Sequence, residues 1–202
     1  MPSQKYLAAA KPLLDSAAAR GMKVMRVVEL RRWGARCEPL LPELVAELER
    51  TESLELVEEL ASVLSGSWAR EAALKPLVHR FRNAPNSPPS MKAALAQAIE
   101  AQADERAIDA LVELVRERRH GNARSVLVNA LGRLDHPLAL DTLVVLLSDP
   151  GVGGHALSAL ANFVPRTRET IERALVKPFL ADGRAWVRRD AKELLNVLDE
   201  LA

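Results

Sequence analysis

Ala107-Ile108-Asp109-Ala110-Leu111-Val112 returns 32 residues later as Ala139-Leu140-Asp141-Thr142-Leu143-Val144, and that interval decides how the chain folds. Both stretches close on an apolar pair, and such a pair recurs along the whole sequence. It stands at Leu13-Leu14, Leu44-Val45, Leu77-Val78, Leu111-Val112, Leu143-Val144 and Leu175-Val176, in steps of 31, 33, 34, 32 and 32 residues. Flanking residues agree as well, with Lys11-Pro12-Leu13-Leu14 repeated as Lys75-Pro76-Leu77-Val78. A second series runs between these rungs: Leu30, Leu60, Ile99, Leu131, Leu160 and Leu195, in steps of 30, 39, 32, 29 and 35. The one long step holds Asn83-Ala84-Pro85-Asn86-Ser87-Pro88-Pro89, a local insertion. Self-similarity at a fixed period of this size marks an array of stacked supersecondary units.

Each rung sits in a helical pattern. Leu74, Leu77, Val78 and Phe81 fall at i, i+3, i+4 and i+7, as do Val57, Leu60, Ala61 and Leu64. That spacing puts them on one face of a 3.6-residue helix. Breakers separate the rungs: Gly34, Gly66, the Pro-rich loop, Gly121, Pro150-Gly151 and Gly183. Ser87 before Pro88, Asp135-His136-Pro137, Asp104 and Thr167 offer helix starts. Twelve helices are predicted, over 4–20, 22–33, 38–50, 52–65, 68–82, 88–101, 104–119, 122–134, 137–148, 152–164, 168–181 and 184–199. A short helix pair buries one side only, so neighbours must stack to complete the core. The expected fold is an all-α, right-handed α-α superhelix, a solenoid in one domain over 1–202. Residues 1–37 form an N-terminal cap and first helices, 38–181 the repeats, and 182–202 a C-terminal capping helix.

Composition agrees: of 202 residues, 49% are hydrophobic, 27% charged and only 3% aromatic, with net charge +1. The near-neutral balance makes no demand for nucleic acid or an anionic membrane. Lys11 and Asp15 interrupt the alanine-rich start, so no signal peptide is expected, and Pro150 to Pro165 carries too many glycines to span a membrane. One cysteine, Cys37, excludes an intrachain disulfide. A cytoplasmic location and no membrane partner are expected.

Ala130-Leu131-Gly132-Arg133-Leu134-Asp135-His136-Pro137-Leu138-Ala139-Leu140, followed by Leu143-Val144-Val145-Leu146-Leu147, resembles the bacterial HEAT-like repeat of the phycobilisome-lyase type. Asp182 through Trp186-Val187-Arg188-Arg189-Asp190-Ala191 resembles the start of such a repeat, where Val-Arg follows an acidic residue. The basic position falls on Lys23, Lys92, Arg124 and Arg188, while Ser53 and Gly153 depart from it. The resemblance covers 90–150 and 182–199 best, and 38–82 more loosely. It implies one antiparallel helix pair per repeat, with the first-series helices lining the concave side. The family serves many functions, so the likeness carries the fold alone.

Catalytic chemistry is not expected. His79, His120, His136 and His155 are scattered, with no partner at metal-ligand spacing, and no Gly-rich phosphate loop follows a strand. Cys37 follows Arg36, which would lower its pKa, yet reads as a free thiol in an inter-helix loop. Trp33, Trp68 and Trp186 lie near helix ends, where an indole seals the contact between repeats. No catalytic, metal or cofactor-binding residue is assigned.

Charge is uneven along the chain. Residues 1–37 carry a net +6 and residues 38–59 a net −7. The two either neutralise each other across adjacent repeats or steer partners of opposite sign. Arg80, Arg82, Arg116, Arg118 and Arg119 make a second basic cluster. The exposed positions expected on the first-series helices are Glu43 and Glu47, then Lys75, His79 and Arg82, then Asp109, Glu113 and Arg116, then Asp141 and Val145. Their mixed charge points to a scaffold or adaptor that binds another protein or peptide segment through its concave face. The alternatives are a nucleic-acid binder using the basic segments and, behind it, an enzyme resembling the HEAT-like alkylpurine DNA glycosylases.

Overall fold

The computed structural model describes residues 3–86 and 88–201, and among them eleven α-helices and several 3-10 segments occur without a strand. The helices are α1 Gln4–Ala19, α2 Leu41–Arg50, α3 Leu54–Leu64, α4 Arg70–Asn83, α5 Pro89–Gln102, α6 Ile108–Arg116, α7 Arg124–Leu131, α8 Pro137–Leu146, α9 Gly153–Thr167, α10 Arg173–Val176 and α11 Ala185–Glu200. The chain gathers into two units, Met1–Gln102 and Ala103–Ala202, divided where one repeat ends and the next begins.

Within the first unit, α2 packs beside α4 and α3 beside α5, while α2 meets α3 and α4 meets α5. The second unit repeats the plan. There α6 lies against α8 and α7 against α9, with α6 on α7 and α8 on α9. α11 continues the α7–α9 layer, and α10 with the 3-10 turn Lys177–Ala181 packs on α11.

The two leucine series explain this packing. Leu44, Leu77, Leu111 and Leu143 of the first, and Leu30, Leu60, Ile99, Leu131 and Leu160 of the second, are fully buried, with Leu195 nearly so. Burying each such side chain is worth about 1.5–3 kcal/mol. The sixth rung of the first series departs: Leu175 is 38% exposed and only its neighbour Val176 is buried.

That departure belongs to one of two places where the expected helices fail. The span 168–181 forms only the single turn α10 and a 3-10 turn. Arg168 takes a left-handed conformation at φ 58° and ends α9. Pro178 has no N–H to give Ala174 and its ring crowds that carbonyl, so the α-helix stops after one turn. Thr167, expected as a cap, is instead the last residue of α9, its hydroxyl donating to Phe163 O at 3.0 Å.

The second failure is the predicted helix 22–33. The chain there is irregular up to Arg26 and then runs as 3-10 turns from Val27 to Leu40. Gly34, at φ 52°, ψ −131°, interrupts the run in a region that favours glycine. Two backbone N–H groups are drawn to side chains of other helices: Val27 N donates to the Tyr6 hydroxyl at 3.1 Å, and Val28 N to Glu59 Oε2 at 2.9 Å. Tertiary hydrogen bonds thus fix an extended Arg26 where the sequence reads as helix.

Of the expected caps, Asp104 accepts from Arg106 N at 3.0 Å, and His136 Nδ1 accepts from Leu138 N at 3.1 Å with Pro137 in the first turn. Ser87 lies outside the described residues.

Candidate partner-binding face

In the second unit, α6 buries Ile108, Leu111, Leu114 and Val115, and α8 buries Ala139, Thr142, Leu143 and Leu146. The opposite sides carry the expected residues. Asp109, Glu113 and Arg116 are exposed on α6, and Asp141 and Val145 on α8, the latter at 59%. Since α6 lies against α8, the five share one surface, and Arg116 Nη2 reaches Thr142 Oγ1 at 3.4 Å. Leu138, unassigned from sequence, is exposed on the same α8 face three residues before Asp141.

In the first unit, Lys75 and His79 are exposed on α4 and Arg82 is half-buried. On α2 the assignment needs correction. Glu47 is only 3% exposed and forms an ion pair with Arg50, whose Nε donates to it at 2.5 Å. Glu43 is half-buried and pairs with Arg20 at 3.2 Å. The residues in register with Lys75, His79 and Arg82 are Pro42, Ala46 and Glu49, counted from Leu44 as the others are from Leu77, and all three are exposed. A slip of one residue turns a side chain by about 100° around a helix of 3.6 residues per turn. Glu47 therefore occupies the core position that Leu114 and Leu146 fill in later repeats.

A cavity of about 510 Å³ opens beside α8 in the second unit. Leu140 and Phe163 give it an apolar lining, and Asp135, His136, Asp141 and Glu169 supply polar groups. Asp135 is engaged by Arg166, whose Nε lies 2.7 Å from Oδ1, and His136 Nδ1 by its own cap. Asp141 and Glu169 are exposed and have no ion pair among the described residues. The cavity was not legible in the sequence because it lies beside Arg168 to Glu172, where a helix was expected and none forms.

The N-terminal charge blocks neutralise each other in part. Lys5 pairs with Glu52 at 2.9 Å, Arg20 with Glu43, and Arg26 with both Glu55 and Glu59. The arginine cluster is also engaged. Arg80 donates to Thr51 O at 2.7 Å, and burial pushes its pKa down. Arg118 lies 3.5 Å from Asp149, and Arg119 pairs with Glu117.

The repeated basic position has a structural role. Lys92 is buried and donates to Phe81 O at 2.6 Å and Ala84 O at 2.8 Å, closing the C-terminus of α4. Arg124, also buried, gives Nε to Val115 O at 2.7 Å near the end of α6 and Nη2 to Asp149 at 2.8 Å. Arg188 donates to Asp182 O at 2.7 Å. A cation at a helix C-terminus meets unpaired carbonyls and the negative end of the dipole. Lys23, by contrast, is exposed.

Cys37 does not lie in an open loop. It is fully buried in the 3-10 run, its Sγ 3.3 Å from Leu30 O, and burial pushes the thiol pKa up rather than down. All three tryptophans are half-buried, and Trp186 meets His155 with ring centroids 5.1 Å apart. Among the described residues, no group of three or more His, Cys, Asp or Glu stands where it could hold a metal ion. No helix among them is long and apolar enough to cross a membrane. Compared with family models, curated proteins and solved structures, the chain matches none.

Proposed function

We propose that the chain is a HEAT-like repeat scaffold, a right-handed α-α superhelix without catalytic function that binds another protein through its first-series helices. The observation that carries this reading is the α6–α8 surface, where Asp109, Glu113, Asp141 and Val145 stay exposed above a fully buried leucine rung. Two adjacent helices with a repeated core, and exposed positions that differ between repeats outside the Asp109 and Asp141 pair, as Glu113 does from Val145, make a binding face of the kind solenoids use. The cavity beside it narrows the partner to a segment that brings a lysine or arginine to Asp141 and Glu169 with an apolar stem over Leu140 and Phe163. Pairing between the N-terminal cations and the 38–59 carboxylates leaves less free positive charge for a phosphate backbone, which favours a protein partner over nucleic acid.

The test is affinity capture with the wild-type chain, with D109K/E113K/D141K, and with a control reversed on the other layer, R133E/K192E. A partner held by the wild type and the control but lost by the first variant supports the reading. Partners indifferent to the first variant, or steeply salt-dependent binding of duplex DNA, would overturn it.

A further inference from the structure

A second cavity, of about 360 Å³, lies in the first unit between the 3-10 run and the end of α3. Its polar lining is supplied by Arg31, Ser62, Ser65, Ser67 and Trp68, with Gly34 at its edge and no carboxylate among the described residues that line it. Other arginines of the 3-10 run and its approach are occupied: Arg26 by Glu55 and Glu59, Arg32 by Glu29 at 2.7 Å, and Arg36 over the Trp33 ring at 4.8 Å. Arg31 is exposed and has no ion pair among the described residues. Ser65 uses its proton on Ser62 O at 2.8 Å, while the hydroxyls of Ser62 and Ser67 and the indole N–H of Trp68 have no acceptor there.

The Trp68 indole lies across Gly66, where a Cβ would overlap Nε1 and stand 2.7 Å from Cδ1. Only glycine lets the ring take that place. Around Gly34 the site of a Cβ is empty space.

From this donor set we infer that the cavity binds a phosphoryl group, carried by a small phosphate monoester. A guanidinium fork, two free hydroxyls and an indole N–H offer more donors than the two oxygens of a carboxylate can accept, and three terminal phosphate oxygens match them better. The volume is at the small end of ligand sites, large enough for an organic body beside the anionic head. The face of Trp68 provides the apolar surface for that body.

The test uses the full chain and reads its indole N–H resonances, with Trp68→Phe identifying that of Trp68. Phenyl phosphate, inorganic phosphate and phenol are titrated separately. The expected result is a saturable shift of the Trp68 resonance with phenyl phosphate and none with phenol. Arg31→Gln should weaken binding about tenfold or more with the melting curve unchanged, and Ser67→Ala should weaken it by a smaller factor. Saturation by either phosphate supports the site, and the tighter of the two names the source of the group. No saturation with either, an equal response to phenol, or an Arg31→Gln titration like the wild type would overturn it.

Discussion

The Tyr6 hydroxyl donates to Glu59 Oε2 at 2.6 Å, and this bond fastens α1 to α3. The Tyr6 hydroxyl oxygen in turn accepts from Val27 N, and Arg26 lies 5.3 Å over the phenol ring while its Nε donates to Glu59 Oε1 at 2.6 Å. Tyr6→Phe strips a donor from a buried carboxylate and an acceptor from a buried amide. The expected cost is roughly 1–3 kcal/mol, read from the urea midpoint.

The same phenol fixes an alkaline limit. Burial first, then the Glu59 carboxylate, pushes its pKa up to about 12 from an ordinary 10.0. With the folded value raised, its contribution is whole below pH 10 and is lost as pH climbs towards 12. Tyr6 is the only tyrosine in the chain, so phenolate absorbance reports it alone. Titration at the ordinary value in the folded protein would refute the contact.

Arg124 and Asp149 form a buried pair in the second unit. Burial alone would raise the Asp149 carboxyl, but Arg124 and the Gly151 N–H hold it below its ordinary 3.8. Its contribution is present above that value and is lost as pH falls through the lower folded one. Arg124→Met is expected to cost about 3–5 kcal/mol by stranding the carboxylate. Arg124→Met with Asp149→Asn should recover part of that, and a double-mutant cycle in urea measures the coupling.

Glu47 tests the register of α2. Placed in the core, it should accept Leu with stability within about 1 kcal/mol of wild type or above it, because packing replaces a buried carboxylate whose partner Arg50 lies exposed. Glu47→Lys should cost about 3 kcal/mol by burying a cation beside Arg50. Equal tolerance of both, by urea unfolding, would put the side chain on the open face.

His155 ties stability to mild acid. Burial, and then Arg184, hold its pKa below 6.5. A depressed imidazole favours the neutral form, so the unfolded chain takes up the proton first and stability falls as pH drops below 6.5. His155→Gln is expected to flatten this leg of the pH–stability curve.

The period of the leucines made the helix order readable, and the buried rungs fell where the spacing put them. Legibility stopped where one residue's environment outweighed its pattern. The 22–33 span reads as helix, yet Tyr6 and Glu59 take the N–H groups of Val27 and Val28. The 168–181 span also reads as helix, yet Pro178 and the left-handed Arg168 leave a single turn. On the candidate face, residues counted from Leu77, Leu111 and Leu143 came out exposed or half-buried, while Glu43 and Glu47 were misplaced by one position. The two cavities left no mark in the sequence, because each is lined by side chains from separate elements that only the fold brings together.

Site-specific photo-crosslinking probes the α6–α8 face most directly. A photoreactive side chain at Val145 is compared with one at Asn129 on α7 and one at Asn196 on α11, in extract of the source cells. The expected result is a discrete protein adduct from position 145 alone, abolished by Asp141→Lys. No adduct at 145, or the same adduct from 129 and 196, would contradict the assignment of that surface to a partner.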